Sequence, residues 1–357
     1  MDVEAIKPAV SGPDDRVRSH QKGSVGAAFA PRIMSGIQPT EHVHFGHYFG
    51  GLQYHVQLHH EYPGDCFFAI ADYHSLMRGI SPERIKKGTL ELATIYLAIG
   101  LDPNKACLYR QSDVPELTEL YWFLSCTTPL SSLISASAYK QGTKGFSKPE
   151  DNTHCAGFLT YPILMAADIL GIRANIVPVG HDQEADLERV RDIASSFNKA
   201  IDHEFFPIPE MISVNADDVP GIDGKKMLTK NNNTLPLFAP YDELRDRVRA
   251  IQTEPKGVAG KKDPGHCTVF QLYSLIAPPP RVNEMKLHYE HGISSQDAKE
   301  KLIHEIQEYF QAFEERYHAL KDDPDYVMDV LRAGFDLVCD EAKETLEDVR
   351  TFMGLNL

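Results

Sequence analysis

The sequence lacks several features that would place the chain outside the cytoplasm. No apolar run is long enough to cross a bilayer, and residues 1–30 lack the charged head, apolar run and cleavage site of a secretory signal. Its six cysteines form no C-x-x-C pair, which argues against zinc ribbons and redox motifs and fits free thiols in a reducing compartment. They are Cys66, Cys107, Cys126, Cys155, Cys267 and Cys339. We therefore expect a cytoplasmic protein, with residues 1–30 as a flexible, Gly-, Ala-, Ser- and Pro-rich extension.

Two common nucleotide-binding motifs are also missing. The sequence has neither the G-x-x-x-x-G-K-[ST] loop nor a G-x-G-x-x-G segment after a strand, so any ATP must be held in another way. The net charge is −15, which on composition alone argues against a nucleic-acid partner. Binding to RNA would then depend on local basic patches, because affinity follows local charge.

The first half of the chain alternates strands and helices. Cys66 to Ala71 reads as a buried strand, and residues 81–100 read as a helix that Ser81 caps and Gly100 ends. Further strands are expected at 106–109 and 174–179, with helices at 114–126, 161–170 and 182–197. This alternation predicts an α/β fold, a parallel sheet with helices on both faces that binds ligands at the carboxyl ends of its strands.

From about Tyr241 the pattern changes to helices only. Apolar residues recur at helical spacing over 297–320, and segments 324–336 and 340–353 repeat that style. At 357 residues the chain suits one large and one smaller domain. We predict a catalytic domain at 31–235 and a smaller all-helical domain at 236–357, whose C-terminal segment supplies the last helix of the catalytic domain.

Two segments offer another way to hold phosphates. Residues 36–47 (GIQPTEHVHFGH) follow a short strand and open a helix that runs to about His60, so backbone N–H groups and the helix dipole favour an anion there. His44 and His47 flank Gly46, which lets a nucleotide approach the backbone. Residues 221–227 (GIDGKKM) form a basic loop that can close on phosphates.

Each segment also has a simpler interpretation. The histidines at 42, 44 and 47, with His55, His59 and His60 nearby, would suit a zinc site, although no cysteine or carboxylate completes the usual ligand spacing. A Gly-Lys-Lys loop is most often a solvated turn. Neither segment is decisive alone.

Together these segments resemble the two signatures of the class I aminoacyl-tRNA synthetases. His44-Phe45-Gly46-His47 is similar to the first signature, and Lys225-Lys226-Met227 to the start of the second. The segments SGIQPT (35–40), LTYPILMAADIL (159–170) and VPVGHDQ (177–183) resemble the bacterial tryptophanyl-tRNA synthetases in particular, within a resemblance that covers residues 31 to 357.

This resemblance implies a Rossmann-like catalytic domain, a helical domain that contacts the tRNA anticodon, and a homodimer. It also implies two reactions: tryptophan and Mg-ATP give tryptophanyl-adenylate and pyrophosphate, and the tryptophanyl group then moves to tRNA. ATP and Mg²⁺ are thus the implied cofactors.

The resemblance assigns roles by position. The catalytic residues it implies are His44, His47 and Lys226, and Lys230 is added as a substitute for the second signature lysine if the loop shifts register. For ATP it implies Gln38, Gly46, His47, Gly180, Asp182, Gln183, Lys225 and Lys226. For tryptophan it implies Met34, Gln38, His74, Tyr161, Met165, Asp168, Val177, Val179 and Gln183. Metal ligands are not among the implied residues.

An indole pocket has a simple chemical requirement. Indole presents a large flat apolar surface and one N–H donor, so the pocket needs apolar walls and one acceptor. Asp168 lies inside the apolar run from Leu164 to Leu170 and is such an acceptor. Without the resemblance, Asp168 would read as a helix-end carboxylate satisfied by backbone, and Met165 and the valines as ordinary core residues.

The sequence departs from the family pattern in three places. The second signature usually reads Lys-Met-Ser-Lys-Ser, whereas here Thr229 takes the place of the second lysine and Lys230 follows it. Ile134 and Ser135 replace a Glu-Arg pair, and Glu184 and Asp186 add negative charge where the family carries basic or neutral residues. The remaining candidates for RNA contact are Lys140, Lys144, Lys148, Arg189, Arg191, Lys261 and Lys262.

These departures leave alternatives to a working tryptophan–tRNA ligase. One is a paralogue that activates tryptophan or an analogue for a different acceptor. Another is a non-catalytic protein that binds tryptophan.

Overall fold

The fold is built on one parallel sheet. The computed structural model describes residues 30–39, 42–134, 155–180, 183–213, 219–253 and 263–356. Within these ranges five strands pair in the order β3-β2-β1-β4-β5, and every recorded pairing is parallel. The strands are β1 (Ile33–Ile37), β2 (Cys66–Ile70), β3 (Ala106–Arg110), β4 (Ile176–Val179) and β5 (Glu210–Ser213). The predicted α/β class is confirmed.

Helices connect these strands. The first begins as α1 (Phe45–His47), passes through a π-helical turn (Tyr48–Leu52) and continues as α2 (Gln53–Glu61). The others of this half are α3 (Asp72–Leu76), α4 (Pro82–Ala98), α5 (Glu116–Thr127), α6 (Leu130–Ile134), α7 (Gly157–Gly171) and α8 (Glu184–Ala200). The capping signals of α4 act as predicted, because Ser81 accepts a hydrogen bond from the Arg84 backbone N–H and Pro82 occupies the first turn.

The later part of the chain is helical in the residues described. Its helices are α9 (Tyr241–Arg249), α10 (Thr268–Ile276), α11 (Pro279–Glu290), α12 (Ser295–Lys321) and α13 (Pro324–Phe352). The predicted break between 336 and 340 is wrong, because α13 runs through it without interruption. No proline or glycine occurs from 335 to 352 to end the helix, so its hydrogen-bond ladder continues.

Alternate residues of each strand face opposite sides of the sheet. Ile33, Phe68 and Leu108 belong to one buried apolar cluster, which also holds residues of α12. Met34, Phe67 and Tyr109 belong to the other, which holds residues of α7 and α8. This division follows from the two-residue period of a strand, and it explains why the strands read as continuous apolar runs.

The C-terminal helix packs on the sheet rather than apart from it. Val338, Ala342, Leu346 and Val349 of α13 join the apolar cluster of α7 and α8. At Gly334 the helix comes so close to β3 that a Cβ atom would lie 2.0 Å from the Leu108 carbonyl oxygen. The proposed division into 31–235 and 236–357 remains a prediction, and residues 1–29 of the predicted extension lie outside the described residues.

The sheet changes direction between β1 and β4. From β1 the chain adds β2 and β3 on one side and β4 and β5 on the other. Pairing between β1 and β4 is recorded only where Ile33 faces Ile176. Further along, Pro178 has no N–H to donate, and its carbonyl lies 3.5 Å from the Ser35 hydroxyl of β1. The carboxyl ends of these two strands therefore border the crevice where ligands bind in folds of this type.

Three short elements, β5, α3 and α6, were not predicted from the sequence. Each spans only four or five residues, too few for a hydrophobic period to stand out.

None of the helices in the described part of the chain is both long and apolar enough to cross a membrane.

Candidate active site at the carboxyl ends of β1 and β4

The histidine segment folds as a helix start beside the sheet. His44 is the N-cap of α1, and its backbone N–H donates to Nδ1 of His47 at 3.3 Å. Because Nδ1 of His47 accepts this bond, the neutral ring carries its proton on Nε2, which leaves Nε2–H as a donor. The two rings lie 3.7 Å apart between centroids. The segment thus combines backbone N–H groups with an imidazole donor at a helix start.

Both histidines are neutral at physiological pH. Burial lowers the pKa of His44 to about 3, and the repulsion that a protonated His44 would meet from a protonated His47 adds to this effect. Burial also lowers the pKa of His47 to about 4. In the ligand-free chain these rings can therefore act as neutral hydrogen-bond donors.

The basic loop folds against this helix start. The backbone N–H of Gly46 donates to the Met227 sulfur at 3.3 Å, and Nε2 of His44 lies 3.2 Å from the Thr229 hydroxyl. A Cβ on Gly46 would approach the His44 ring to 3.0 Å, so a larger residue would crowd this junction. The structure thus brings the two predicted signatures together, although they are far apart in sequence.

The lysines of the loop lie on its outer side. Lys225, Lys226 and Lys230 are exposed, whereas Met227 is buried. Position 229 is the one that faces His44, and there the chain has a threonine instead of a lysine.

The loop is braced by a residue that sequence reasoning missed. The buried side chain of Asn233 donates to the Asp223 carboxylate at 2.7 Å and to the Lys226 carbonyl at 3.0 Å. Its oxygen accepts from the Leu228 backbone N–H at 2.8 Å. Asn233 lies in a run of three asparagines, and nothing in that run singles it out.

A second group of predicted residues lines one face of α7. Tyr161, Met165 and Asp168 are four and then three residues apart, so they share a face of the helix. Asp168 is only 4% exposed. Its Oδ2 accepts from Nε2 of His74 at 3.1 Å, which brings His74 to the same place. The simpler interpretation of Asp168, a helix-end carboxylate whose partners are backbone groups, does not match its geometry, because its hydrogen-bond partners are side chains.

The predicted apolar walls lie on the sheet below α7. Met34, Val177 and Val179 are buried in the apolar cluster that also contains residues of α7. In the adjacent row, Gly36 pairs with Ala69, so these two positions carry nothing larger than a methyl group.

Gln111 completes this site and was missing from the sequence prediction. It is fully buried just after β3, and its Nε2 donates to both carboxylate oxygens of Asp168 at 2.8 Å. The signal that would have found it is its position, because polar residues at the carboxyl end of a parallel strand point toward the ligand crevice.

Other predicted residues lie at the same edge of the sheet. Gly180 follows β4, and its carbonyl accepts from the Gln183 backbone N–H at 3.0 Å at the start of α8. The Gln38 side-chain oxygen is buried and finds no donor among the described residues. The Tyr161 hydroxyl donates to the Asp186 carboxylate at 2.8 Å. Asp182 lies outside the described residues.

The histidines of the zinc alternative are used in other ways. His55 is stacked on Phe68, and its Nδ1 lies 2.7 Å from the Tyr96 hydroxyl. The His59 ring accepts from the Asp102 backbone N–H at 3.3 Å. Among the residues described, no group of three or more His, Cys, Asp or Glu side chains is placed to hold a metal.

Two of the basic candidates for RNA contact are paired within their own helix. Arg189 binds Asp192, and Arg191 binds Glu188. Lys140, Lys144, Lys148, Lys261 and Lys262 lie outside the described residues, as does Ser135.

Comparison with known proteins identifies the family. The model for tRNA synthetases class I (W and Y) matches residues 29–311. The chain belongs to this family. The predicted resemblance is thus confirmed, and with it a class I synthetase fold.

Relatives within the class I synthetases include enzymes named tryptophan–tRNA ligase. One from Fusobacterium nucleatum is 40% identical over 91% of this chain and 98% of its own length. One from Xanthomonas campestris pv. campestris is 39% identical over 85% of this chain and 71% of its own length. Among solved structures, the Campylobacter jejuni tryptophanyl-tRNA synthetase in complex with ADP and tryptophan is 32% identical. It covers 91% of this chain and 100% of its own, with a TM-score of 0.82.

Proposed function

We propose that this class I synthetase is a tryptophan–tRNA ligase. It activates L-tryptophan with ATP to tryptophanyl-adenylate and pyrophosphate, and then transfers the tryptophanyl group to tRNA. The observation that carries the proposal is a buried carboxylate, Asp168, held by Gln111 and His74 at the base of the crevice. The named relatives support this reaction over the two alternatives, a paralogue with another acceptor and a non-catalytic binder.

Asp168 would select the indole ring. An ionised carboxylate offers about four lone-pair sites, and the side chains of Gln111 and His74 use three of them. The remaining site accepts the indole N–H. A side chain without that donor leaves the buried carboxylate short of a hydrogen bond, and such sites reject the wrong ligand by about 10⁴-fold or more. Met34, Met165, Val177 and Val179 would be the apolar walls.

Tyr161 and Gln183 would bind the amino group of tryptophan. Tyr161 and Asp168 are seven residues apart on α7, which places them about 10 Å apart along the helix axis. That separation accommodates tryptophan with its indole N–H bound at one end and its amino group bound at the other. The buried oxygen of Gln38, between this region and the signature helix, would serve both the amino acid and ATP.

ATP would lie across the signature helix and the basic loop. Gly46, His47 and Gly180 lie at the carboxyl edge of the sheet, with Gln183 beyond them at the start of α8. Asp182 would also contribute to ATP binding, as the family resemblance implies. Lys225, Lys226 and Lys230 would approach the phosphates when the loop moves over them. The tryptophan carboxylate attacks the α-phosphate directly, so the protein acts by positioning the reactants and by stabilising charge, with His44 and His47 as neutral donors.

Mg²⁺ would enter with ATP. The described residues contain no cluster of carboxylates that holds a metal alone, which fits an ion carried mainly by the nucleotide phosphates. We also propose tRNA as the acceptor, a homodimer and a cytoplasmic location. RNA binding must then use local basic patches, since the net charge is −15.

The test is amino-acid-dependent ATP–pyrophosphate exchange with the twenty standard amino acids and several indole analogues. We expect exchange with tryptophan and charging of tRNA when it is added. Exchange with an analogue alone would indicate a different substrate. Tryptophan binding without any exchange would contradict the ligase and point to a binding protein.

A further inference from the structure

The Tyr161 hydroxyl already has a charged partner. It donates a hydrogen bond of 2.8 Å to Oδ1 of Asp186. Asp186 is half-buried in the first turn of α8, directly after the carboxyl end of β4. The positive end of the helix dipole favours an ionised carboxylate at this position.

This bond fixes which way the Tyr161 hydroxyl points. A phenol has one hydrogen to donate, and here Asp186 accepts it. The oxygen lone pairs of Tyr161 are then directed elsewhere and can only accept. Burial and the charge of Asp186 raise the pKa of Tyr161, so the hydroxyl keeps its proton at neutral pH. Beside this acceptor stands the negative charge of Asp186, and the two together suit a cation.

In the proposed function, the cation that would lie at this end of the site is the amino group of the substrate. Tyr161 lies two helical turns from Asp168, the proposed indole acceptor. The sequence alone interpreted Asp186 and Glu184 as charges unfavourable to RNA. The structure separates them, because Glu184 is exposed whereas Asp186 is half-buried against Tyr161.

We propose that Asp186 is a specificity-determining residue that binds the substrate ammonium together with Tyr161. The proposal rests on the tryptophan-activating function above. Binding of the ammonium then depends on the full negative charge of Asp186 and not on neutral acceptors alone. Ligands with an ammonium are favoured, and ligands with only a carboxylate are repelled.

The experiment compares three ligands on the full-length protein. L-tryptophan carries both charged groups, tryptamine only the ammonium, and indole-3-propionate only the carboxylate. In Asp186→Asn, which keeps an acceptor for Tyr161 but removes the charge, we expect about 10- to 100-fold weaker binding of tryptophan and tryptamine. Binding of indole-3-propionate should stay the same or improve. In exchange assays, KM for tryptophan should rise more than kcat falls.

Two further variants make the result specific. Glu184→Gln removes the same charge from the same helix turn and should leave all three affinities unchanged. Tyr161→Phe should weaken tryptophan and tryptamine but should not improve indole-3-propionate, because Asp186 keeps its charge. The double variant should lose less than the sum of the two. The proposal is wrong if Asp186→Asn binds tryptophan like the wild type, or weakens all three ligands equally. If wild-type protein fails to bind tryptophan at all, it is the proposed function that fails.

A measurement with tRNA separates this proposal from the earlier interpretation of the charge. If Asp186 faces the amino acid, the KM for tRNA should be the same in Asp186→Asn and in the wild type. A lower KM for tRNA with unchanged tryptophan affinity would overturn the proposal, because the charge would then act on the RNA.

Discussion

At the scale of residues, the proposed amino-acid site centres on one buried carboxylate, that of Asp168. Asp168 lies in an apolar helix, yet it is surrounded by donors from two other elements, Gln111 after β3 and His74 in α3. Burying a charge is costly unless it is hydrogen-bonded, and these donors offset that cost. The resemblance to a known family singled out Asp168 and His74. Gln111 was not predicted, because a single glutamine after a strand looks ordinary until the strands are arranged in a sheet.

Replacing Asp168 tests the indole assignment. In Asp168→Ala we expect tryptophan affinity to fall at least 100-fold while ATP affinity is retained, because the indole N–H loses its acceptor. Equilibrium binding with each ligand measures this. The control ligand is 1-methyltryptophan, which has no N–H: the preference of the wild type for tryptophan over it should disappear in the variant. Unchanged tryptophan affinity would show that Asp168 does not bind the indole.

At the scale of elements, the main feature is the contact between the two signatures, the start of α1 and the loop at 221–227 with the residues that follow it. The loop is anchored by Met227 on Gly46 and by Thr229 on His44, whereas its lysines are exposed. The resemblance to the family signature implies a lysine at position 229, where this chain has a threonine. Only the structure shows that this position faces the first signature.

Thr229→Lys should place a positive charge next to His44, which position 229 contacts. We expect ATP–pyrophosphate exchange to rise about 10-fold or more, since a preorganised charge of this kind is typically worth 10²–10³ in rate. Lys230→Ala is the companion variant and should have a smaller effect than the restored lysine. If Thr229→Lys changes nothing while Lys230→Ala loses about 100-fold, Lys230 has taken over the role of the missing lysine.

The contact between α13 and β3 depends on a glycine. A Cβ at Gly334 would lie 2.0 Å from the Leu108 carbonyl, so Gly334→Ala must push the helix away from the strand. Alanine favours a helix over glycine by about 1 kcal/mol, but overpacking of this kind costs about 1–3 kcal/mol or more. We expect a lower urea midpoint. Ala333→Gly is the control and should lose only the helix preference. A more stable Gly334→Ala variant would contradict the close packing.

Buried histidines connect stability to pH at the scale of the whole molecule. Burial lowers the pKa of His55 to about 3, below its ordinary value of 6.5. Above pH 6.5 this ring is neutral in both the folded and the unfolded chain, so its burial does not lower the free energy of unfolding. As the pH falls from 6.5 toward 4, only the unfolded chain takes up the proton, so folding loses about 1.4 kcal/mol per pH unit from this residue.

Denaturation at several pH values tests this linkage. The free energy of unfolding of the wild type should fall steeply below pH 6.5. His55→Gln keeps a polar partner for Tyr96 but cannot titrate, so its curve should be shallower between pH 6.5 and 4 whatever its stability at pH 7. Parallel curves for the two proteins would show that His55 is not a source of the acid sensitivity.

The proposed homodimer has a candidate surface. Trp122, the single tryptophan of the chain, is 65% exposed on α5, and Leu130 and Ile134 are exposed on α6, which follows directly. Exposed large apolar side chains often mark an interface, and a second copy of the chain is the expected partner.

Trp122→Glu should therefore convert a dimer into a monomer in analytical ultracentrifugation. Leu287→Glu provides the control, because Leu287 is exposed on α11, away from this surface in the chain. In the wild type, dilution below the dissociation constant should shift Trp122 fluorescence to the red. A monomeric wild type, or a dimer that survives Trp122→Glu, would contradict the interface.

The sequence by itself determined the class of fold and the segments of the two signatures, and it supplied the candidate residues for the amino-acid site. Strands and longer helices are set by local apolar periods and caps, and short motifs are legible wherever they occur. The tertiary structure decided which of these residues meet. Gln111 and Asp168 are 57 residues apart, Tyr161 and Asp186 are 25 apart, and His44 and Thr229 are 185 apart. Such contacts depend on strand order and helix packing, which no local pattern of residues specifies.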